Sequence, residues 1–120
     1  MNKNIADLTE ANFQAEVLDP AIPVVVDFYA PWCGPCQVIA PLLERFAGDF
    51  SGRLKFAKAN VDEAPELAAS FDITGVPTLM LFHGGQAVGQ ITGLPGPQQF
   101  KAWLEAAANP AAITSTREVS

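Results

Sequence analysis

Cys33 and Cys36, the only cysteines in this chain of 120 residues, lie three positions apart. Three residues are close to one turn of a helix, so a helix beginning here would place both thiols on nearly the same face, where they can close a small disulfide. A dithiol of this kind can exchange electrons with another disulfide. The pair therefore predicts thiol–disulfide redox chemistry.

A structural disulfide and half of a zinc site are two other uses of such a pair. A disulfide that closes so short a loop removes little entropy from the unfolded chain, and the cytosol would not keep it oxidised. Zinc normally takes four ligands, whereas the chain offers two cysteines and a single histidine, the distant His83. Redox chemistry is the favoured interpretation, and no metal is expected.

The expected start of a helix at the pair assigns each thiol a role. Cys33 would lie at the helix N-terminus, where unpaired N–H groups and the helix dipole stabilise a thiolate. Cys36 would lie a turn deeper among apolar neighbours, where desolvation disfavours the thiolate and access is limited. We therefore expect Cys33 to be the nucleophile and Cys36 the resolving thiol. Gly34 permits a tight turn, and Pro35 suits the first turn of a helix.

The apolar residues around the pair predict alternating strands and helices, and hence an α/β domain. The run at 23–30 is β-branched and almost wholly apolar, as in a strand covered on both faces. Cys33 follows this strand, and sites in such sheets lie beyond the carboxyl ends of strands. A final hairpin implies a mixed sheet between helices. The predicted order is strand 5–8, helix 9–18, strand 23–30, a helix from the cysteines that Gly48 or Gly52 can close, strand 54–62, helix 64–71, strands 78–82 and 87–92, and helix 98–108.

Asp27 interrupts the apolar strand at 23–30. A lone carboxylate inside a protein is hard to ionise, so burial would raise the pKa of Asp27. A carboxyl group with a raised pKa is suited to proton transfer near neutral pH. Asp27 is therefore a candidate acid or base beside the cysteine pair.

The segment around the cysteines reads Phe28-Tyr29-Ala30-Pro31-Trp32-Cys33-Gly34-Pro35-Cys36 and is followed by Ile39-Ala40-Pro41. It resembles the active-site segment of thioredoxins. Further matching residues, in the expected order, are Asp27, Lys58, Val61-Asp62, Gly75-Val76-Pro77-Thr78 and Gly93. The resemblance covers roughly residues 5–108. It implies the thioredoxin fold, an α/β fold with a central mixed five-stranded sheet flanked by four helices. We expect a thioredoxin domain at 1–108 and a C-terminal tail at 109–120.

The resemblance also implies catalytic roles. Cys33 attacks the target disulfide and Cys36 resolves the mixed disulfide. Asp27 corresponds to the buried acid that helps to move the proton of the resolving thiol, and Lys58 corresponds to its neighbouring base. The alternative for Asp27 is a purely structural carboxylate satisfied by Lys58.

A substrate-binding rim around the nucleophile is implied in the same way. Val76-Pro77 resembles the cis-proline turn of the family, which faces the disulfide; the alternative is an ordinary trans proline at the start of a strand. The rim would be flat and mostly apolar, which suits an extended peptide. Its expected residues are Trp32, Gly34, Pro35, Gly75, Val76, Pro77 and Gly93.

The implied activity is the reduction of protein disulfides, with recycling by a thioredoxin reductase. Gly34-Pro35 between the cysteines resembles the reducing members of the family. No bound cofactor is expected, because NADPH and FAD would belong to the partner reductase. The alternatives are a binding or scaffolding module that uses the same fold, and an exported disulfide reductase whose leader has been removed.

Composition and charge restrict the classes of binding partner and the cellular location that we expect. A formal net charge of −6 with only seven Lys and Arg residues argues against nucleic acid and against anionic membranes. The N-terminus lacks an apolar stretch of signal-peptide length, and no later segment could span a membrane. We expect a monomeric cytoplasmic protein.

Overall fold

The order of elements predicted from the sequence is found in the computed structural model, which describes residues 4–109. The elements are β1 (Ile5–Asp7), a short π-helical segment (Gln14–Leu18), β2 (Val24–Tyr29), α1 (Gly34–Asp49), β3 (Lys55–Asn60), α2 (Pro65–Ser70), β4 (Thr78–His83), β5 (Gln86–Thr92) and α3 (Pro97–Ala107). The expected tail at 109–120 lies, apart from its first residue, outside the described residues.

The strands form one mixed five-stranded sheet, as predicted, and their order is β1-β3-β2-β4-β5. β1, β3 and β2 are parallel, whereas β4 runs antiparallel to β2 and β5 antiparallel to β4. These directions bring the carboxyl ends of β2, β3 and β5 and the amino end of β4 to one edge of the sheet. The loops at this edge, which we call the site edge, therefore converge.

β2 is central because its residues pack on both faces of the sheet. Val25 packs with Ile39 of α1 and Phe100 of α3 on one face. Val26 and Phe28 join a second cluster on the other face. Fully burying a side chain of this size contributes about 1.5–3 kcal/mol, so a strand with two apolar faces is firmly held. The β-branched run at 23–30 is thus explained by helices on both sides of the sheet.

The first predicted helix, at 9–18, is found as a capped first turn at 9–12 that leads into helical backbone at 13–18. The Thr9 N–H donates to Asn12 Oδ1 (2.8 Å), and the Asn12 N–H donates to Thr9 Oγ1 (3.1 Å). These reciprocal bonds have the pattern of a capping box, in which the N-cap side chain and the side chain three residues later each accept the other residue's backbone N–H, so Thr9 caps this segment as expected. Phe13 already has helical backbone, the Glu16 N–H donates to the Asn12 carbonyl (2.9 Å), and the Asp19 N–H reaches back to the Gln14 carbonyl.

Candidate active site

The loop between β2 and α1 positions the cysteine pair. Cys33 is the N-cap of α1, with extended backbone (φ −88°, ψ 115°), and its Sγ accepts the N–H of Cys36 at 3.2 Å. Pro35 in the first turn lacks only an N–H that would have no helical partner. The two cysteines form a disulfide, with their Cα atoms 5.3 Å apart. The predicted small disulfide at a helix start is therefore present.

Exposure does not separate the two sulfurs in this oxidised form, although the sequence predicts a more accessible Cys33. Cys33 is 4% exposed and Cys36 is 5% exposed. Both pack in a small cluster with Ala30, against Val61 and Val76. Their surroundings differ instead, because Cys33 faces the loop before β4 and Cys36 faces a cavity beneath the sheet edge.

The loop before β4 brings backbone groups to the nucleophile candidate. The Val76–Pro77 peptide bond is cis, and the Val76 carbonyl oxygen lies 3.6 Å from Cys33 Sγ. The Thr78 hydroxyl donates to the Gly75 carbonyl at 2.7 Å. The Gly93 N–H donates to the Pro77 carbonyl at 2.8 Å. Gly75, Val76, Pro77 and Gly93 are thus joined at the site edge, next to Cys33.

Exposed apolar side chains lie on the segments that follow β2 and β5 at the site edge. Trp32 is 71% exposed, and its indole Nε1 donates to Asp62 Oδ2 at 3.0 Å. Val38, on the second turn of α1, and Leu94, just after β5, are also exposed. Gly34 and Pro35 lie exposed between the cysteines. Sequence reasoning missed Val38 and Leu94, whose exposure is decided by packing and not by residue type.

Asp27 lies beneath the disulfide and is nearly out of contact with water. It is 4% exposed, and its Oδ1 has no hydrogen-bond partner within the described residues. Burial raises the pKa of Asp27 from 3.8 to about 7, although the charge of Lys58 opposes the shift. The raised pKa expected from the sequence is therefore found, and desolvation is its main cause.

A cavity of about 80 Å³ is lined by both Asp27 and Cys36. Its volume leaves room for water between polar groups. Asp27 and Cys36 therefore line one space that can hold water, through which a proton could pass. The lining residues are Ile5, Asp7, Asp27, Tyr29, Cys36, Ala40, Leu43, Glu44 and Lys58.

Lys58 lies beside Asp27 on the neighbouring strand but binds another carboxylate. Its Nζ is 3.8 Å from Asp7 Oδ1 and 5.6 Å from the centre of the Tyr29 ring. Lys58 therefore does not satisfy Asp27 by a hydrogen bond, contrary to the purely structural alternative. Asp7 was missed by the sequence analysis; the register of β1 against β3 would have been the signal, and one sequence does not display it.

The described residues contain neither a candidate metal-binding cluster nor a membrane-spanning helix. No three His, Cys, Asp or Glu side chains of residues 4–109 are grouped closely enough to hold a metal ion. None of the described helices is both long and apolar enough to cross a membrane.

The fold and the site together define a thiol–disulfide oxidoreductase. The redox group is carried by the chain itself, as the disulfide that caps α1. The buried carboxyl group of Asp27 lines a cavity together with Cys36, and the Val76 carbonyl lies beside Cys33.

Comparisons with known proteins identify the family. The thioredoxin family model matches residues 4–106. Thioredoxin 1 of Nostoc sp. is 47% identical over 88 residues, which are 73% of this chain and 82% of that protein. Thioredoxin of Pseudomonas aeruginosa is 41% identical over 106 residues, 88% of this chain and 98% of that protein. A bifunctional thioredoxin reductase/thioredoxin of Mycobacterium leprae is 47% identical over 90 residues, 75% of this chain and 20% of that protein.

The chain belongs to the thioredoxin family. It is an oxidoreductase that acts on protein disulfides through the Cys33–Cys36 pair. Members of this family work with protein-disulfide substrates and with thioredoxin reductase.

Proposed function

We propose that this chain reduces disulfides in other proteins, with Cys33 as the nucleophile and Cys36 as the resolving thiol. The different surroundings of Cys33 and Cys36 support these two roles. Cys33 caps α1 beside the exposed rim, where the helix N-terminus stabilises a thiolate. Cys36 shares a cavity with Asp27, a proton acceptor.

The reduction of a substrate disulfide proceeds by two thiol–disulfide exchanges. The Cys33 thiolate attacks one sulfur of the substrate disulfide, which breaks that S–S bond, releases one substrate thiolate and forms a mixed disulfide. Cys36 then loses its proton to Asp27 and attacks Cys33 Sγ. The Cys33–Cys36 disulfide forms as the second substrate thiolate leaves. Two electrons pass to the substrate, and its thiolates take up protons.

Asp27 is proposed as the acceptor of the Cys36 proton, with Lys58 as the neighbouring charge. A carboxyl group with a pKa of about 7 can both take and release a proton near neutral pH. An ordinary exposed carboxylate would be a much weaker base. Burial of Asp27 without a hydrogen-bond partner at Oδ1 therefore supports this role.

The substrate peptide is proposed to lie across the rim in an extended form, pairing with the backbone at Val76. The rim residues are those expected from the sequence: Trp32, Gly34, Pro35, Gly75, Val76, Pro77 and Gly93. The convergence of their loops at the site edge supports this surface. The exposed indole of Trp32 supplies apolar contact without charge.

The remaining proposals concern partners and organisation. A thioredoxin reductase recycles the disulfide, and NADPH and FAD stay with that partner; the bifunctional Mycobacterium leprae relative, whose name joins both activities, supports this pairing. We place the thioredoxin domain at 1–108 with the tail at 109–120 outside it. The protein is proposed to be a cytoplasmic monomer, and its net charge of −6 disfavours nucleic acid and anionic membranes as partners.

Reduction of insulin disulfides, coupled to a thioredoxin reductase and NADPH, tests the proposal. The wild type should consume NADPH in proportion to insulin reduced, and Cys33→Ser should abolish the reaction. A reduction potential more oxidising than the glutathione pool would overturn the direction of electron flow. Partner binding without any insulin reduction by the wild type would point to a scaffolding module instead.

A further inference from the structure

Three charged residues lie side by side across β1, β3 and β2. Asp7 pairs with Lys58, and Lys58 pairs with Asp27, in the parallel registers of the sheet. Residues in register on parallel strands point to the same face. All three line the cavity that also contains Cys36. The row runs from an exposed carboxylate, through an ammonium group, to a buried carboxylate.

The ammonium group of this row lies against the outer carboxylate. Lys58 Nζ is 3.8 Å from Asp7 Oδ1, and it also lies over the Tyr29 ring. Asp27 is the inner carboxylate of the row, and its Oδ1 has no hydrogen-bond partner among the described residues. Lys58 therefore acts on Asp27 through its charge and not through a direct bond to Oδ1.

We propose that Asp7 is a positioning residue, which holds the Lys58 ammonium group away from Asp27 and so keeps Asp27 able to accept the proton of Cys36. The inference rests on the proposed role of Asp27 in proton transfer. An opposite charge within hydrogen-bond reach favours the carboxylate and would make Asp27 a weaker base. Asp7 competes with Asp27 for the positive charge of Lys58.

Two other titratable groups face the cavity besides Cys36. Glu44 of α1 contributes a second carboxylate, and it forms no ion pair within the described residues. The pKa of Tyr29 is raised by burial first and then by the charges of Asp7, Glu63 and Asp27, so Tyr29 stays neutral near neutral pH. Glu44 therefore offers a matched control, because it has the same charge as Asp7 at the same cavity but does not bind Lys58.

The test measures the titration of the Asp27 carboxyl carbon by NMR in the oxidised full chain, in which the two cysteines do not titrate. Asp7→Asn should lower the midpoint by about half a pH unit, because Lys58 is released toward Asp27. Glu44→Gln should lower it clearly less. In a Lys58→Met background, Asp7→Asn should lose its extra effect.

Three results would overturn the positioning role: an unchanged midpoint in Asp7→Asn, an effect equal to that of Glu44→Gln, or an effect that persists without Lys58. Both carboxylates are replaced by amides of similar shape, and Asp7 is 61% exposed, so folding should be preserved. The pH profile of insulin reduction separates the two proposals. If the Asp27 midpoint moves and the profile does not, Asp7 positions Lys58 but Asp27 is not the proton acceptor.

Discussion

The carbonyl oxygen of Val76 lies 3.6 Å from Sγ of Cys33, although 42 residues separate them in the chain. The loop after β2 carries Cys33, and the loop before β4 carries Val76. They meet because β2 and β4 are antiparallel neighbours, with Phe28 opposite Thr78. A peptide paired with the backbone at Val76 would therefore hold its own sulfur close to Cys33.

Replacing the resolving thiol should trap the covalent intermediate. In Cys36→Ser, Cys33 can still attack a substrate disulfide, but no second thiol can release the product. Mixed disulfides with substrate proteins should accumulate, as detected by non-reducing electrophoresis and mass spectrometry. Cys33→Ser is the matched control and should form far fewer. Equal trapping by the two variants would contradict the assigned roles, and greater trapping by Cys33→Ser would reverse them.

Removing the buried carboxylate should slow turnover. In Asp27→Ala, the proton of Cys36 loses its buried acceptor, so insulin reduction at pH 7 should slow by about tenfold or more. The variant should remain folded, because alanine leaves no unpaired polar group at the site. Unchanged turnover at neutral pH would remove Asp27 from the mechanism.

The stability of the oxidised protein should fall as pH rises from about 4 to 7, because of Asp27. In this range the unfolded carboxyl is ionised, whereas the buried one, with a pKa raised from 3.8 to about 7, still holds its proton. The folded state then binds more protons, so the free energy of unfolding decreases with pH. A shift of about three units corresponds to about 4 kcal/mol at most. Urea unfolding of wild type and Asp27→Ala at pH 4 and pH 8 measures the difference, and parallel pH dependences would contradict it.

Trimming the exposed indole should weaken substrate binding and leave stability almost unchanged. Trp32 is 71% exposed, so Trp32→Ala should alter the free energy of unfolding by less than about 1 kcal/mol. We expect KM for a protein disulfide to rise about fivefold, since aromatic contact with the peptide is lost. Ile22→Ala is the control, because Ile22 is exposed at the opposite edge of the sheet. Equal KM values for the two variants would exclude Trp32 from the rim.

Substitutions at two glycines with left-handed backbone can separate the effect of backbone strain from the effect of contact with the substrate. Gly93 has φ +88° at the site edge, and Gly84 has φ +63° in the turn between β4 and β5 at the far edge. Alanine at either position should cost about 1–2 kcal/mol of stability. Only Gly93→Ala should also raise KM for a protein disulfide, because its methyl group would stand on the rim. Equal KM values for the two variants would mean that Gly93 has only a structural role.

The elements near the cysteines could be predicted well because their signals are local. The spacing of Cys33 and Cys36, with Pro35 between them, predicts a helix start, and the Asp27 interruption of an apolar run predicts a buried acid. The start of the segment at 9–18 is another local signal: Thr9 caps it through reciprocal bonds with Asn12, as its residue type predicts. The same signals do not display the π-helical form of Gln14–Leu18.

By itself, the sequence determined the redox chemistry and the helix that presents it, because both depend on residues within one turn of each other. Only the tertiary structure decided that Val76 faces Cys33 and that Lys58 binds Asp7 while Asp27 stays unpaired at Oδ1. Those contacts depend on strand order and register. Register is set by how the whole sheet packs between its helices, and no short segment of one chain displays it.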